Sequence, residues 1–391
     1  MSELDFTKKN LANNWSGVKD IWSQIHFEMK GYIKRKLERF LRIEADYKIG
    51  CGRYERKKER LDYRNGYYHR SLLTTYGWID DLTVPRLRKG GFESQVFDRY
   101  RRRQRQIDKI LLEAFFFGHS TRKTRRLFAR LFEETMSAQT VSNIVKELDE
   151  KMTLFHRREL GSEYQFLYLD GLWVTLRSPL KVKKVLLVAL GKRYDGETEL
   201  ISFQLAPSES ESCWWGFILD MKERGLKGME MIISDNALGL TKSIKALYPR
   251  ITHQLCTFHK ANDLRHHLYD SKHRRRIIND ALHVFEGQTV TETRKRLKIF
   301  TEKWLEKEPK AVRNFHKNFE YCLSYLSYPD PLRTMLKTSN PVERYLQELR
   351  RRIIPMRAFN NVKSVERIIY GIVAYVLNQK QDMSHYTIYT I

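Results

Sequence analysis

Residues 164–205 read YQFLYLDGLWVTLRSPLKVKKVLLVALGKRYDGETELISFQL. Their apolar side chains alternate with polar ones or form short continuous runs, and this pattern predicts three consecutive strands. The strands span residues 164–176, 182–192 and 198–205. Asp195-Gly196 supplies the hairpin turn between the second and the third. Four more elements follow in the order helix, strand, helix and strand, at residues 212–224, 229–234, 239–248 and 251–256.

This order of elements decides between two kinds of α/β fold. Rossmann-type folds alternate strands and helices from the start, whereas three consecutive strands ahead of the alternation are typical of a ribonuclease-H-like core. We therefore expect an α/β, ribonuclease-H-like core within residues 159–391.

Three carboxylates stand out in and beyond this core. Asp170 lies inside the apolar first strand, Asp235 follows the fourth strand, and Glu343 lies at the start of a predicted helix. An acidic side chain in an apolar strand is costly unless it has a partner. Three carboxylates from separate elements can hold two divalent ions, and hard oxygen ligands suit Mg²⁺ or Mn²⁺. A structural alternative stays open, because the three can equally be a turn residue, a helix N-cap and, with Asn340 and Pro341, a capping box.

The composition excludes several classes of protein. The 391 residues include 72 Lys and Arg against 47 Asp and Glu, and the net charge of +25 favours polyanionic partners. The 4 cysteines are too scattered for a disulfide framework, and no apolar run approaches the roughly 18 residues of a membrane span. The N-terminus has no apolar segment of the kind that a secretory signal needs. We therefore expect a cytoplasmic protein that binds nucleic acid and no membrane.

The basic charge is unevenly distributed along the chain. Residues 51–130 hold 21 Lys and Arg against 9 Asp and Glu, whereas residues 161–250 hold 12 against 11. This distribution indicates DNA-gripping parts beside a nearly neutral core with another task.

The N-terminal region, residues 1–100, is predicted to combine one long helix with a small β element. Apolar side chains recur at helical spacing over residues 15–47. Two short strands are predicted at 72–76 and 79–84, and Asn65-Gly66 ahead of them is a hairpin signal. The β element would present a set of basic side chains to DNA. They are Arg64, His69, Arg70, Arg86, Arg88 and Lys89.

Residues 101–158 are predicted to contain a helix-turn-helix, with helices over 107–117, 122–132 and 138–148. Ser137 can cap the last of these. Residues at the start of the second helix of such a motif face base edges, and basic residues beside it lie near phosphates. The candidates for base contact are Gln139, Thr140 and Asn143, and those for phosphate contact are Arg122, Lys123, Arg125 and Arg126. A plain helical linker is the alternative.

Several motifs, in one order, resemble the mutator-type bacterial insertion-sequence transposases over about residues 60–375. Those that carry the carboxylates are Tyr168-Leu169-Asp170-Gly171-Leu172-Trp173, Ile232-Ile233-Ser234-Asp235-Asn236-Ala237-Leu238-Gly239-Leu240 and Asn340-Pro341-Val342-Glu343-Arg344. The others are Arg64-Asn65-Gly66, Thr83-Val84-Pro85-Arg86, Pro207-Ser208-Glu209-Ser210, residues 214–226, Cys256-Thr257-Phe258-His259 and Glu348-Leu349-Arg350-Arg351-Arg352. Asn236 and Pro341 depart from the family's usual pattern, but neither change removes a carboxylate.

The resemblance implies a site as well as a fold. It makes Asp170, Asp235 and Glu343 a DDE triad of catalytic residues that bind two Mg²⁺ or Mn²⁺ ions, with an α-helical insertion at residues 260–337 between the second and the third. It also implies that Cys256 and His259 lie near the site. We favour a site-shaping role for this pair over a zinc site, which needs four ligands.

Two tryptophans resemble aromatic positions near such a site. Trp214 is expected to stack on a distorted DNA end. Trp173 is a candidate for the same role, with packing in the core as the alternative.

The mechanism expected from the resemblance is strand cleavage followed by strand joining. Water activated by the two ions would attack a phosphodiester at an element end, and the freed 3′-hydroxyl would attack a second phosphodiester. Basic side chains on the helix of Glu343 would grip the phosphates. They are Arg344, Arg350, Arg351 and Arg352. No covalent protein–DNA intermediate is needed.

The partners expected on the same basis are double-stranded DNA with terminal inverted repeats, target DNA and a second copy of the chain, which would form a homodimer on DNA. The resemblance further suggests a copy-out route through a circular intermediate, and a bacterial, nucleoid-associated location. Two alternatives stay open: a related ribonuclease-H-like nuclease that cuts without joining, and a non-catalytic helix-turn-helix DNA binder.

Overall fold

A computed structural model describes residues 16–55, 58, 60–89, 91–97, 101–118, 121–132, 137–176, 182–354, 359 and 361–377. The chain divides into two compact units. The first takes in the described residues up to Phe115 together with those from Thr121 to Ile144. The second takes in Phe116–Gly118 and the described residues from Val145 onward.

The first unit is built on a long helix and a two-stranded hairpin. Helix α1 (Ser16–Ile49) carries the apolar spacing that the sequence predicted. Strands β1 (Arg64–Thr74) and β2 (Gly77–Leu87) pair antiparallel. One face of α1 packs on the hairpin in a small core, because each element is apolar on one side only. This core contains Leu41, Ala45, Leu72, Ile79, Leu82, Val84, Phe92 and Phe97.

The hairpin turn lies elsewhere than Asn65-Gly66 indicated. The two strands are joined after Thr74, whose partner across the turn is Gly77, and Gly77 has a φ of +98° that favours glycine. Asn65-Gly66 instead lies inside β1 at a shift in register, where Gly66 has a φ of +74°. A glycine with positive φ serves a bulge as well as a turn, and the local sequence does not distinguish the two.

Three further helices follow the hairpin. They are α2 (Arg105–Phe116), α3 (Thr121–Phe132) and α4 (Ala138–Lys146). The Thr140 N–H donates to the Ser137 hydroxyl oxygen (3.0 Å), so Ser137 caps α4 as predicted. The predicted helix over 138–148 is interrupted, since Leu148 begins a separate helix, α5 (Leu148–Arg157), in the second unit.

The second unit contains a mixed five-stranded sheet. Its strands are β3 (Tyr164–Leu176), β4 (Val182–Arg193), β5 (Thr198–Ala206), β6 (Met231–Ser234) and β7 (Thr252–Leu255). The strand order is β5-β4-β3-β6-β7. The first three pair antiparallel, whereas β6 runs parallel to β3, and β7 runs parallel to β6. The central strand β3 therefore has an antiparallel neighbour on one side and a parallel one on the other.

Two helices cover one face of this sheet. Helix α6 (Glu211–Glu223) follows β5, and α7 (Leu238–Leu247) follows β6. Buried side chains of both helices pack against β3 residues such as Leu167 and Leu169 in one large core. Because side chains alternate along a strand, Gly171 and Trp173 share the face of Leu169, and Asp170 points to the other.

Helices make up most of the remaining second unit. They are α8 (Thr257–Asn262), α9 (Arg274–Val284), α10 (Val290–Trp304), α11 (Pro309–His316), α12 (Asp330–Leu336), α13 (Asn340–Ile353) and α14 (Val362–Ile372). Short 3₁₀ helices at Asp263–His266, Ser271–His273, Phe319–Cys322 and Ser324–Ser327 connect several of these, and a π-helical turn, Val373–Leu377, follows α14. No helix in the described ranges is both long and apolar enough to cross a membrane.

Candidate active site

Asp170 and Asp235 are neighbours because of strand register. In the parallel pair of β3 and β6, Leu169 lies opposite Ser234. The next residue on each strand is an aspartate, and neighbouring strands lie about 4.8 Å apart. The pairing of two apolar strands therefore places Asp170, in the middle of β3, beside Asp235, which directly follows β6.

Asp170 is a nearly buried carboxylate whose partner is its own neighbour. The Gly171 N–H donates to its Oδ1 (2.7 Å). Burial raises the pKa of Asp170 to about 7, and the charges of Asp235 and Glu343 add to this, whereas the Gly171 N–H and the His259 charge oppose it. In the described part of the chain no Lys or Arg forms an ion pair with Asp170 or Asp235.

Asp235 follows β6 in the short connection to α7. The Ala237 N–H donates to its Oδ1 (3.1 Å), but the N-cap of α7 is Ala237, so Asp235 does not cap that helix. Burial raises the pKa of Asp235, and the charge of Asp263 adds to this, against the Ala237 N–H and the charge of His259. Both aspartates thus lie in a pocket that disfavours their negative charge.

Glu343 comes from the first turn of α13, a helix that packs its apolar side inward through Val342, Leu346, Leu349 and Ile353. The N-cap of α13 is Ser339, one residue before the predicted Asn340, and its side chain makes no cap hydrogen bond. The Ser339 hydroxyl instead donates to Glu343 Oε1 (2.6 Å). The capping-box alternative for Glu343 is therefore wrong, because its carboxylate binds a hydroxyl and not a backbone N–H.

Cys256 and His259 lie beside Glu343. His259 Nε2 is 3.9 Å from Glu343 Oε1, and its Nδ1 is 3.3 Å from the Ser339 hydroxyl oxygen. The Ser339 N–H donates to the Cys256 sulfur (3.3 Å). These contacts join α8, which begins after Cys256, to the start of α13.

The electrostatics of this cluster favour a positive imidazole. The hydrogen bond with Cys256 raises the pKa of His259 to about 9 against the effect of burial, and the charges of Glu343 and Asp170 act in the same direction. Burial raises the pKa of the Cys256 thiol, but the hydrogen bond and charge of His259 outweigh it, so the pKa is lowered. The side chains of Cys256, His259 and Glu343 each offer an atom within 4.8 Å of the others, so they are close enough to share a metal ion.

Two residues at the site are absent from the predicted set. Ser339 is 1% exposed and bonds to Glu343, as described above. Glu209 follows β5, and the charge of Asp235 contributes to a raised pKa of Glu209, after burial. Because β5 and β3 both pair antiparallel with β4, they run in the same direction and end at the same edge. That topology is the signal that could have identified Glu209.

The predicted base-contact residues lie on α4. Gln139 and Asn143 are exposed, Thr140 is half-buried, and the Gln139 side-chain N–H donates to Asn143 Oδ1 (2.8 Å). On α3, Lys123 and Arg126 are exposed and Arg125 is half-buried, while the side chain of Arg122 lies outside the described residues.

Three residues that were predicted to contact DNA, in the hairpin and on α6, make contacts within the protein. Trp214 is 1% exposed and packs in the core of the second unit, so the expectation that it stacks on DNA is wrong. Trp214 is buried because it lies on the side of α6 that faces the core. Trp173, by contrast, is 52% exposed. Arg64 forms an ion pair with Asp46 of α1 and donates to the Cys51 carbonyl (2.9 Å). Arg86 is exposed beside the Tyr68 ring.

The basic residues of α13 are of two kinds. Arg344 and Arg350 are exposed. Arg351 and Arg352 each form an ion pair with Glu348 at 2.6 Å, which ties them to their own helix.

Comparisons with known proteins agree over nearly the whole chain. The family described as "Transposase, Mutator family" matches residues 8–382. The transposase for insertion sequence element ISRM5 of Rhizobium meliloti (strain 1021) is 31% identical over 355 residues, which are 90% of this chain and 89% of that protein. The transposase for insertion sequence element IS256 in transposon Tn4001 of Staphylococcus aureus is 30% identical over 378 residues, 94% of each chain.

One solved structure, the catalytic domain of Mos1 mariner transposase, aligns with 48% of this chain and 92% of its own length. The sequence identity is 10% and the TM-score is 0.19, which is too low to bear on the fold.

Proposed function

The chain belongs to the Mutator family of transposases, and we propose that it cuts and joins DNA strands at the ends of an insertion sequence with Asp170, Asp235 and Glu343 as its DDE triad. One observation carries the proposal. Strand register sets Asp170, in the middle of β3, beside Asp235, directly after β6; both are buried, neither has a Lys or Arg ion pair in the described ranges, and the charge of Glu343 acts on Asp170. Such an arrangement is unfavourable unless a cation completes it.

Two divalent ions, Mg²⁺ or Mn²⁺, fit this set of donors. All three side chains offer hard oxygen atoms, and the burial that raises the pKa of each aspartate disfavours negative charge that a cation would neutralise. Bound ions of this kind supply Lewis-acid stabilisation of phosphodiester oxygens and lower the pKa of water. The Cys256–His259 pair is proposed to shape the site and not to bind zinc, because only three potential ligands are grouped there, whereas a structural zinc site has four.

The chain's own groups would orient the triad and the DNA. The Ser339 hydroxyl holds one oxygen of Glu343, and His259 adds positive charge on the same side. Arg344 and Arg350, exposed on the helix of Glu343, would grip phosphates next to the cleaved bond. No side chain is assigned as a covalent nucleophile, since water and then a 3′-hydroxyl attack phosphorus directly.

The surrounding architecture is proposed to follow the same function. The sheet order and its mixed directions support a ribonuclease-H-like core in residues 159–391, with residues 260–337 as a helical insertion. Helices α3 and α4 would form a helix-turn-helix that reads terminal inverted repeats through Gln139, Thr140 and Asn143. Residues 1–100 and 101–158 would both contact DNA, and two chains would act together on paired ends.

The test is a strand cleavage and joining assay with the full chain, Mg²⁺ or Mn²⁺, and labelled DNA that carries the ends of its own element. We expect Asp170→Asn, Asp235→Asn and Glu343→Gln each to lose at least about 100-fold in rate while DNA affinity is kept. Asp220→Asn, an exposed carboxylate on α6, is the matched control. Cleavage without joining would favour a nuclease. Undiminished activity in the three variants would mean that the carboxylates are structural.

A further inference from the structure

Glu209 occupies space that a side chain at position 171 would fill. A Cβ on Gly171 would lie 3.3 Å from Glu209 Cδ and 2.7 Å from its Oε1, and the second distance is so short that the Glu209 side chain would have to shift. Gly171 lies next to Asp170 on β3, but its missing side chain is on the opposite face. The glycine therefore leaves room for a carboxylate that arrives from the side of α6.

Trp173 lies beside this carboxylate. The side chains of Trp173 and Glu209 are hydrogen-bonded, and the indole N–H is the only donor that a tryptophan side chain has, so it donates to the carboxylate. Trp173 lies two residues after Gly171 on the same face of β3. Its indole nitrogen accounts for one interaction of Glu209, and a carboxylate has acceptor capacity for several.

A second glycine brings Asp235 to the same place. Gly239 lies in the first turn of α7, and a Cβ there would meet the Glu211 backbone nitrogen at 2.6 Å and the Ser210 carbonyl carbon at 2.9 Å. The Ser243 hydroxyl also donates to the Glu211 carbonyl (3.1 Å). The start of α7 thus packs directly on the start of α6, and this contact brings the segment after Asp235 close to the one that carries Glu209.

We propose that Glu209 is a fourth carboxylate of the site and holds a divalent ion together with Asp235. This inference rests on the proposed function. Gly171 leaves room for the Glu209 carboxylate beside β3, and the contact of Gly239 with Ser210 and Glu211 brings the segment that follows Asp235 against the one that carries Glu209. Like the two aspartates, Glu209 forms no ion pair with Lys or Arg in the described ranges.

The experiment is a calorimetric titration of the full chain with Mn²⁺ alone. We expect Glu209→Gln to bind Mn²⁺ about 10-fold more weakly than the wild type, because it keeps the shape and the Trp173 contact but loses the charge. Glu211→Gln is the matched control, since Glu211 lies two residues away at the start of α6 and pairs with Lys242 at 3.1 Å. It should bind Mn²⁺ as the wild type does.

A second variant tests the geometry separately. Gly171→Ala should weaken Mn²⁺ binding as Glu209→Gln does, although it leaves all four carboxylates in the chain. Thermal melting of each variant checks that the variant is folded. The alanine Cβ would also lie 3.0 Å from Val185 Cγ2, so the Glu209 variant remains decisive if Gly171→Ala does not fold.

The outcomes separate the two proposals. If Asp235→Asn loses Mn²⁺ binding and Glu209→Gln does not, the fourth carboxylate is wrong and the triad stands. If Asp235→Asn binds Mn²⁺ as the wild type does, the triad itself is overturned. Loss in both variants, with Glu211→Gln unchanged, supports the fourth carboxylate.

Discussion

A charged Asp170 is unfavourable for folding, yet the strand pairing of the fold keeps this side chain buried. Its strand is apolar on both sides of position 170, and the pairing of β3 with β4 and β6 buries whatever occupies that position. Burial then disfavours the charged form of the aspartate. A buried carboxylate at position 170 is explained if its negative charge binds a cation.

The metal-free protein should therefore lose stability as the pH rises. The pKa of Asp170, about 7 when folded, lies above its ordinary value of 3.8, so the stabilisation from its bound proton is complete below pH 4 and disappears as the pH passes 7. Asp170→Asn mimics the protonated form at every pH. In EDTA at pH 8 we expect this variant to be more stable than the wild type by on the order of 2–4 kcal/mol.

Urea unfolding at pH 4.5 and pH 8 measures the difference. The advantage of Asp170→Asn should shrink towards the lower pH, and Mn²⁺ should raise the melting temperature of the wild type alone. An advantage that does not change with pH would contradict the assignment of the effect to this carboxyl group.

Ser339 is the residue through which the Cys256–His259 pair reaches Glu343. Ser339→Ala removes the hydroxyl that donates to Glu343 Oε1 and leaves the backbone bond to the Cys256 sulfur. We expect the strand cleavage rate to fall about 10-fold, with DNA affinity unchanged, because the carboxylate is less well oriented. The pH profile of cleavage should shift as well, since the hydroxyl that contacts both His259 Nδ1 and Glu343 Oε1 is gone.

A serine outside the site provides the comparison for this variant. Ser327→Ala removes an exposed hydroxyl that donates to the Ser324 carbonyl in a 3₁₀ helix. Its cleavage rate should equal that of the wild type. An equal loss in both variants would show that Ser339 acts through general stability.

At the scale of elements, the sequence predicted the sheet of the second unit closely. Strand β3 has the predicted bounds, and β4 and β5 each differ by one residue, because continuous apolar runs bounded by turn residues leave little choice. Asn65-Gly66 was wrongly interpreted as a hairpin turn, since Gly66 suits a bulge as well as a turn, and β1 begins at Arg64 where the prediction began it at Leu72. The proximity of Asp170 to Asp235 could be inferred from parallel strand order, but Glu209 and Ser339 depend on packing between elements that no local pattern encodes.

The contact between α5 and α14 is an element-scale feature that can be measured. Arg367 is 9% exposed, its Nη2 donates to Asp149 Oδ2 (2.7 Å), and Lys363 lies 3.2 Å from the same carboxylate. Asp149→Asn leaves a mostly buried guanidinium without its anion and should cost about 2 kcal/mol in the free energy of unfolding. Urea unfolding checks this, with the exposed Glu150→Gln as the control.

The pH dependence of this contact has the opposite sign to that of Asp170. The hydrogen bond from Arg367 lowers the pKa of Asp149 despite partial burial. The stabilisation that the ionised Asp149 provides is therefore present above the ordinary pKa of 3.8 and is lost as the pH falls through the lowered pKa. A destabilisation by Asp149→Asn that does not shrink as the pH falls from 3.8 through the lowered pKa would contradict an ionic contribution.

If α3 and α4 form the proposed helix-turn-helix, substitutions on the two helices should affect DNA binding in different ways. Asn143→Ala should weaken binding to element ends by about 1–3 kcal/mol and leave binding to random DNA unchanged, because base contacts carry sequence information. Arg126→Ala should weaken both and reduce the salt slope by about 1. Competition titrations with both DNAs check this, beside Lys151→Ala on α5. Equal loss on both DNAs for Asn143→Ala would favour a plain helical segment over a helix-turn-helix.

At the scale of the whole molecule, the net charge of +25 is carried unevenly, and the nearly neutral segment is the one that contains Asp170 and Asp235. A strongly positive surrounding field would weaken cation binding at the site. The same field would strengthen DNA binding by the basic segments. The division of charge is the one expected if the proposed tasks are divided within one chain: attraction of the polyanion by the basic segments, and metal-dependent chemistry at Asp170 and Asp235 in the nearly neutral one.

This division predicts how the chain responds to salt. If the basic segments contact 6 or more phosphates, each contact releases counterions, and the logarithm of affinity should fall with the logarithm of salt concentration with a slope steeper than about −5. Between 50 and 200 mM salt the affinity should then drop by about 10³-fold, for element ends and random DNA alike. The ratio of the two affinities should change far less, because base contacts release few counterions. Fluorescence anisotropy over a salt series measures all three quantities with the full chain. A slope near zero would contradict an extended basic surface that contacts DNA. If the ratio of the two affinities falls strongly with salt, the preference for element ends is itself electrostatic.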